Sequence, residues 1–147
     1  MKSEINKRVK VEQVNKTRSA KAVRRFFDDK KVEKRIADVL LTIGIATHLQ
    51  GHKCIRVATR LCMDNRELLR GKITKVLYPE VSRILGSSAA KVERSIRTAI
   101  RSAFEGNRFS RINGIFGVPA FDMKYQPKSN ELISFLTDQL LFEFEEG

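Results

Sequence analysis

Cysteine is scarce in this 147-residue sequence, which contains only Cys54 and Cys62. Two cysteines are too few for a disulfide framework, and their spacing does not form a CxxC pair. We therefore interpret both as reduced, small hydrophobic residues. His48 and His52 lie nearby in the sequence, but the four side chains do not have the spacing of a structural zinc site. We expect neither a metal nor another cofactor.

Long hydrophobic runs are also missing. No stretch of about eighteen apolar residues is available to span a bilayer, and residues 1–4 (MKSE) lack the basic-then-apolar pattern of an export signal. The apolar side chains of residues 1–31 are too scattered for a membrane-binding amphipathic helix. The hydrophobic content of 41% suits a folded chain, so we predict a cytoplasmic protein with no membrane partner.

The residue patterns typical of enzymes are absent as well. We find no paired carboxylates, no nucleophile elbow and no glycine-rich loop that could hold a phosphate. The sequence therefore predicts a binding protein and not an enzyme.

Acidic residues are few relative to basic ones, 17 against 29, which gives a net charge of +12. A charge of this sign favours polyanions such as nucleic acids as partners. Residues 1–35 carry 13 basic and 5 acidic side chains, so most of the excess lies there. We predict that residues 1–31 form a basic N-terminal arm, flexible or partly helical near residues 20–27. The alternative is a solvated tail that only aids solubility.

Apolar residues recur at helical spacing through residues 32–147, and no segment alternates as a strand would. We therefore predict one all-α domain of about six helices over this range. The predicted helices span residues 32–43, a segment from about 51 to 69, residues 79–85, residues 88–105, a single turn at 112–116, and residues 129–141. Gly44, Gly71 and Gly106 are predicted stops, Pro79 suits a helix start, and Ser129 or Asn130 is the predicted cap of the last helix.

Residues 78–96 fit a helix-turn-helix. A small residue, Ser82, is placed where two helices cross, and Gly86 supplies a turn position that tolerates a positive φ. The residues predicted to lock the two helices together are apolar: Val81, Leu85, Val92 and Ile96.

The predicted helix over residues 88–105 has two distinct faces. Its apolar arc is suited to the core, whereas the opposite arc is cationic and suited to the major groove of DNA. Arg94 and Arg97 are candidates for bidentate contacts to guanine, Glu93 could accept from a cytosine amino group, and Thr98 could touch a base or a thymine methyl. Phosphate contacts are predicted for the remaining candidates: Ser87, Ser88, Lys91 and Arg101.

Two motifs in this region carry a family resemblance. Residues 71–81 (GKITKVLYPEV) and 91–100 (KVERSIRTAI) resemble the C-terminal effector domain of stage-zero sporulation protein A, a response-regulator family of endospore-forming Firmicutes. The similarity extends from about Ile36 to the last predicted helix.

The resemblance implies a six-helix DNA-binding domain that reads short promoter boxes, often in tandem, and regulates transcription of sporulation or related stationary-phase genes. It places Lys91, Glu93, Arg94, Arg97 and Thr98 at the DNA-contacting positions. It also implies a contact with an RNA polymerase sigma factor near residues 101–111, and a homodimer on tandem sites is a further expectation. Bound to promoter boxes, the protein would be associated with the nucleoid.

Family regulators also carry a phosphorylated receiver domain, which we do not expect in this chain. Asp28 and Asp29 do not replace its acidic pair, because they stand among basic residues instead of at the end of a buried strand. Two alternatives to a DNA-reading regulator remain open. One is a receiverless modulator that pairs with or competes against a full-length regulator, and the other is a charge-driven, non-specific binder of the nucleoid or of RNA.

Overall fold

The computed structural model describes residues 29–71 and 73–146, with the side chain of residue 146 left out. The described chain is all-helical, which confirms the predicted fold class. Most of the predicted basic arm, including the helix expected near residues 20–27, lies outside the described residues. The elements are α1 (Asp29–Thr42), α2 (Gln50–Asp64), a 3-10 helix (Arg66–Leu69), α3 (Leu77–Leu85), α4 (Ala89–Glu105), α5 (Arg111–Phe116) and α6 (Ser129–Glu146).

Helix α1 begins at Asp29, somewhat before the predicted start at Val32. Its buried side chains recur at helical spacing, as predicted. Gly44 follows with a φ of +96°, in the region that favours glycine. The Ile45 N–H then donates to the Leu40 carbonyl, 2.8 Å away, and closes the end of the helix.

Helix α2 is shorter than predicted, because it ends at Asp64 and not near Leu69. Asn65 leaves the helical region with φ −149° and ψ 95°, and its side chain accepts a hydrogen bond from the Glu67 N–H. Asparagine readily makes such local bonds, which compete with the helix ladder. The chain therefore continues as a separate 3-10 helix.

The prediction for the start of the last helix was wrong in one detail, because neither Ser129 nor Asn130 is the cap. The Lys128 carbonyl accepts the Leu132 N–H, and the Glu131 carboxylate accepts the Lys128 N–H at 2.8 Å. A carboxylate three residues into a helix commonly satisfies an N–H at its start in this way. The helix also runs beyond the predicted end, to Glu146.

Helix α2 lies at the centre of the domain and packs against α1, α3, α4 and α6. Each of these helices contributes the apolar side of its surface, so one continuous core forms between them. The most deeply buried apolar side chains include Ile36, Leu40, Ile55, Ala58, Cys62, Leu77, Val92, Ile96, Ile100, Leu132 and Leu136.

Both cysteines are buried and free. Burial raises the pKa of the Cys62 thiol to about 12 and also raises the pKa of Cys54. Both thiols therefore remain protonated near neutral pH and behave as small hydrophobic groups. Among the described residues, no three or more His, Cys, Asp or Glu side chains cluster so that they could hold a metal ion.

The helices do not meet the requirements of a membrane span. Within residues 29–71 and 73–146, none is both long and apolar enough to cross a bilayer.

His52 is buried in α2, and its environment predicts acid sensitivity. Burial lowers the pKa of His52 from 6.5, Arg56 acts in the same direction, and the Ala37 backbone opposes them. In the unfolded chain His52 binds a proton below about pH 6.5, while the folded chain resists it. The free energy of unfolding should therefore fall as the pH drops below about 6.5.

Thermal unfolding at pH 7.5 and pH 5.5 checks this prediction. The His52→Gln variant should lose part of the difference between the two pH values, whereas His48→Gln, at an exposed position, should retain all of it. Equal pH dependence in the two variants would contradict the assignment.

Candidate DNA-binding surface

Helices α3 and α4 form the helix-turn-helix that the sequence predicts. They pack directly against each other. Gly86 between them has φ +66° and ψ 44°, and its N–H donates to the Ser82 carbonyl. The Ser87 N–H reaches the same carbonyl at 2.9 Å. Both bonds satisfy the same carbonyl group at the end of α3, and the left-handed turn at Gly86 sets the direction in which α4 leaves.

Ser88 caps the N-terminus of α4. Its backbone is extended, with φ −124° and ψ 156°, and its hydroxyl oxygen accepts the Lys91 N–H at 3.2 Å. Ser88 is therefore the cap residue that begins α4, and Ser87 stands outside the helix.

We predict that Ser88→Ala lowers the free energy of unfolding by about 1 kcal/mol, because an N–H at the start of α4 loses its acceptor. Chemical denaturation would measure this change. Ser87→Ala is the matched control, because the Ser87 hydroxyl caps no N–H among the described residues, and it should change stability by less than half as much. Similar effects of the two substitutions would contradict the capping role of Ser88.

Helix α4 presents its two faces as the sequence predicts. Val92, Ile96, Ala99, Ile100 and Ala103 are buried. Seven of the eight candidate residues are exposed, and Glu93 is half-buried at the edge of the apolar face. The structure thus places these candidates along one side of α4 and the turn before it: Ser87, Ser88, Lys91, Glu93, Arg94, Arg97, Thr98 and Arg101.

Arg97 and Glu93 form an ion pair on this surface, with Nη1 of Arg97 3.3 Å from Oε2 of Glu93. Their side chains are 54% and 45% exposed, so the pair is solvated and contributes little to stability. No acidic side chain in the described ranges forms a salt bridge with Lys91, Arg94 or Arg101. Lys91, Arg94 and Arg101 are therefore exposed to solvent without an acidic partner among the described residues.

Gly51 fixes the distance between α2 and α4, and sequence reasoning missed this role. A Cβ added to Gly51 would lie 2.4 Å from the Ser95 carbonyl oxygen and 2.6 Å from the Ala99 Cβ. Gly51 lies in the first turn of α2, at the predicted start of that helix. The backbones of α2 and α4 approach each other closely here because Gly51 has no side chain.

The helix-turn-helix lies within a region that matches a known family. The family model described as "Sporulation initiation factor Spo0A C terminal" matches residues 36–140. The matched range begins in α1, ends in α6, and includes all eight candidate residues.

Proposed function

The chain belongs to the Spo0A C-terminal family of sporulation initiation factors, and we propose that it reads specific sequences in double-stranded DNA to regulate transcription. The family is a DNA-binding domain of sporulation response regulators. The proposal that the protein reads base sequence rests on one observation: α4 has an exposed, cationic face opposite its buried face. The major groove of B-DNA is wide enough to admit such a helix.

The chemistry of each side chain suggests its role in this proposal. Arg94 and Arg97 can each donate two hydrogen bonds to the O6 and N7 atoms of guanine. Glu93 holds Arg97 by an ion pair in the free protein and can also accept from a cytosine amino group. Lys91 and Arg101, at either end of the exposed face, are suited to phosphates, as are Ser87 and Ser88 at the helix N-terminus. Thr98 is exposed between them and can touch a base.

We predict that Arg94→Ala and Arg97→Ala each cost about 1 to 3 kcal/mol in binding to a preferred duplex, because each removes a bidentate base contact. Binding to duplexes with single base changes would be measured by fluorescence anisotropy. Each variant should lose its discrimination at one or two base pairs.

Lys34→Ala on α1 is the control, because it removes an exposed cation outside α4 and should leave discrimination intact. Equal losses by Arg94→Ala on preferred and scrambled duplexes would contradict the base-reading role of that residue.

We propose three further contacts for a DNA-binding regulator of this kind. Residues 101–111 include the last turn of α4 and the connection to α5, and they expose Arg101, Arg108 and Arg111. These cations suit contact with an acidic surface on a partner protein, for which a sigma factor is the candidate. Tandem promoter boxes would place two copies side by side as a homodimer. Residues 1–31 would add phosphate contacts that do not depend on base sequence. A pure modulator of a full-length regulator would not need exposed Arg94 and Arg97, so direct DNA reading is the better-supported function.

A further inference from the structure

Arg97 differs from the other candidate cations of α4 because it has an acidic partner. Its Nη1 atom lies 3.3 Å from Oε2 of Glu93 and donates a hydrogen bond to it. Lys91, Arg94 and Arg101 form no salt bridge within the part of the chain that the structure describes. The position of the Arg97 guanidinium is therefore restrained in the free protein, whereas no acid restrains the other three.

Glu93 lies at the edge of the exposed face of α4 and not at its centre. Successive helical residues are about 100° apart around the axis, so Arg97 is turned about 60° from Arg94, and Glu93 about 100° in the same direction. Arg94 and Arg97 are exposed there, but Glu93 is half-buried. The edge of a base in the major groove is therefore less accessible to Glu93 than to either arginine.

A groove beside Glu93 separates this edge of α4 from the start of α6. The residues that line it include Glu93, Arg97, Tyr78 of α3, Lys128 and Ser129. Glu93 is turned further toward the buried face of α4 than Arg97 is, so its carboxylate contacts the guanidinium from the side of the domain. The Arg97 side chain remains 54% exposed and open toward solvent.

The ion pair leaves Arg97 able to read a base. A guanidinium has five N–H donors, two on each Nη atom and one on Nε. Glu93 engages Nη1, and Arg97 makes no further hydrogen bond to the described residues. The Nε and Nη2 donors form a second edge of the guanidinium, which can donate two parallel hydrogen bonds to guanine O6 and N7. Arg97 can therefore contact guanine while Glu93 still holds it.

Two physical arguments give Glu93 a role through Arg97. Fixing a long, flexible side chain costs conformational entropy, and a side chain that is already held loses less of it on binding. Glu93 also brings a negative charge to a surface that meets a polyanion, which weakens association with DNA of any sequence. The benefit of this carboxylate must therefore lie in the discrimination between sequences.

We propose that Glu93 is a positioning residue, which acts on base preference by holding Arg97 and not through a base contact of its own. The inference rests on the proposed function and deepens it, because it assigns the preference at one base pair to two side chains of which only Arg97 touches DNA. The cytosine contact that is chemically open to Glu93 is the alternative that the test separates.

A double-mutant cycle measures the coupling between the two residues. Glu93→Ala, Arg97→Ala and the double variant would be compared by fluorescence anisotropy on duplexes with single base changes, at physiological salt. Arg97→Ala identifies the base pair that Arg97 reads. At that base pair Glu93→Ala should lower the preference by about three- to tenfold, within the range for coupled neighbours. In the Arg97→Ala background, Glu93→Ala should change the preference at no base pair.

Two further comparisons separate positioning from a general effect on the structure of α4. Glu93→Ala should bind the scrambled duplex more tightly than the parent protein does, because a negative charge is removed, whereas a distorted helix would bind both duplexes more weakly. The matched cycle uses Arg94, which follows Glu93 directly but points to a different side of the helix. The effects of Glu93→Ala and Arg94→Ala should simply add.

A loss of preference in Glu93→Ala at a different base pair, retained in the Arg97→Ala background, would show that Glu93 reads a base itself and would overturn the proposal. Unchanged preference in Glu93→Ala would also overturn it, as would additive effects in the Arg97 cycle or an Arg97→Ala variant that keeps the full base preference. Failure of the proposed function is a different result, in which the parent protein itself shows no base preference.

Discussion

Gly51→Ala should destabilise the domain and weaken DNA binding at the same time. The added Cβ would meet the Ser95 carbonyl oxygen at 2.4 Å and the Ala99 Cβ at 2.6 Å, and the first of these is backbone that no side-chain rotation can clear. Either α2 or α4 must therefore shift. Overpacking of this kind costs about 1 to 3 kcal/mol, and we expect the upper part of that range. Urea unfolding would measure the loss of stability, and anisotropy the loss of affinity as α4 moves.

Gly114→Ala is the matched control for this prediction. Gly114 lies in α5, and a Cβ added there meets nothing within 4 Å. Alanine favours a helix over glycine by up to about 1 kcal/mol, so this variant should be neutral or slightly stabilised. If Gly51→Ala unfolded at the same urea concentration as the parent protein, the close approach of α2 and α4 would not be a constraint on the fold.

Arg60→Met should destabilise the domain far more than the removal of a solvated cation would. The Arg60 side chain is only 9% exposed, and it joins Asp64 at the end of α2 to Asp29 at the start of α1. Nη1 of Arg60 lies 2.8 Å from Oδ1 of Asp64. Methionine fills similar space but removes the guanidinium from beside the largely buried Asp64 carboxylate. Removing one member of a buried pair costs about 3 to 5 kcal/mol, and we expect about 3 kcal/mol because Asp29 can be hydrated.

Arg83→Met provides the comparison for Arg60. Arg83 pairs with Glu80 on the exposed side of α3, and solvated pairs contribute about 0 to 1 kcal/mol. Urea denaturation of both variants should therefore separate them by about 2 kcal/mol or more. A loss in Arg60→Met as small as that in Arg83→Met would mean that Arg60 does not tie α1 to α2.

The features that the sequence predicted well are local. The two faces of α4 follow from its helical spacing, and the turn follows from Gly86 and Ser88, whose conformations depend on their near neighbours. The predicted positions of helix ends were less accurate where a side chain competes with the backbone for hydrogen bonds, as the Asn65 side chain does. The roles of Gly51 and Arg60 depend on contacts with residues far away in the sequence, so no local pattern could reveal them.

The candidate site shows the same division between local and long-range features. The exposure of Arg94, Arg97 and Arg101 follows from their position on an amphipathic helix, and the structure places them as expected. The Glu93–Arg97 pair has the spacing of a helical ion pair and could have been foreseen. The groove could not, because it joins Tyr78 to Lys128 and Ser129 only when α3, α4 and α6 pack together.

The central claim is that α4 reads base sequence, and binding to two duplexes tests it most directly. One duplex carries a promoter box of the family and the other a scrambled sequence of the same length and composition. Fluorescence anisotropy would be measured at low and at physiological salt. We predict a preference of about a hundredfold or more for the box that persists at physiological salt, because base contacts do not depend on counterion release. Equal binding that disappears at physiological salt would contradict the claim and leave charge as the basis of association.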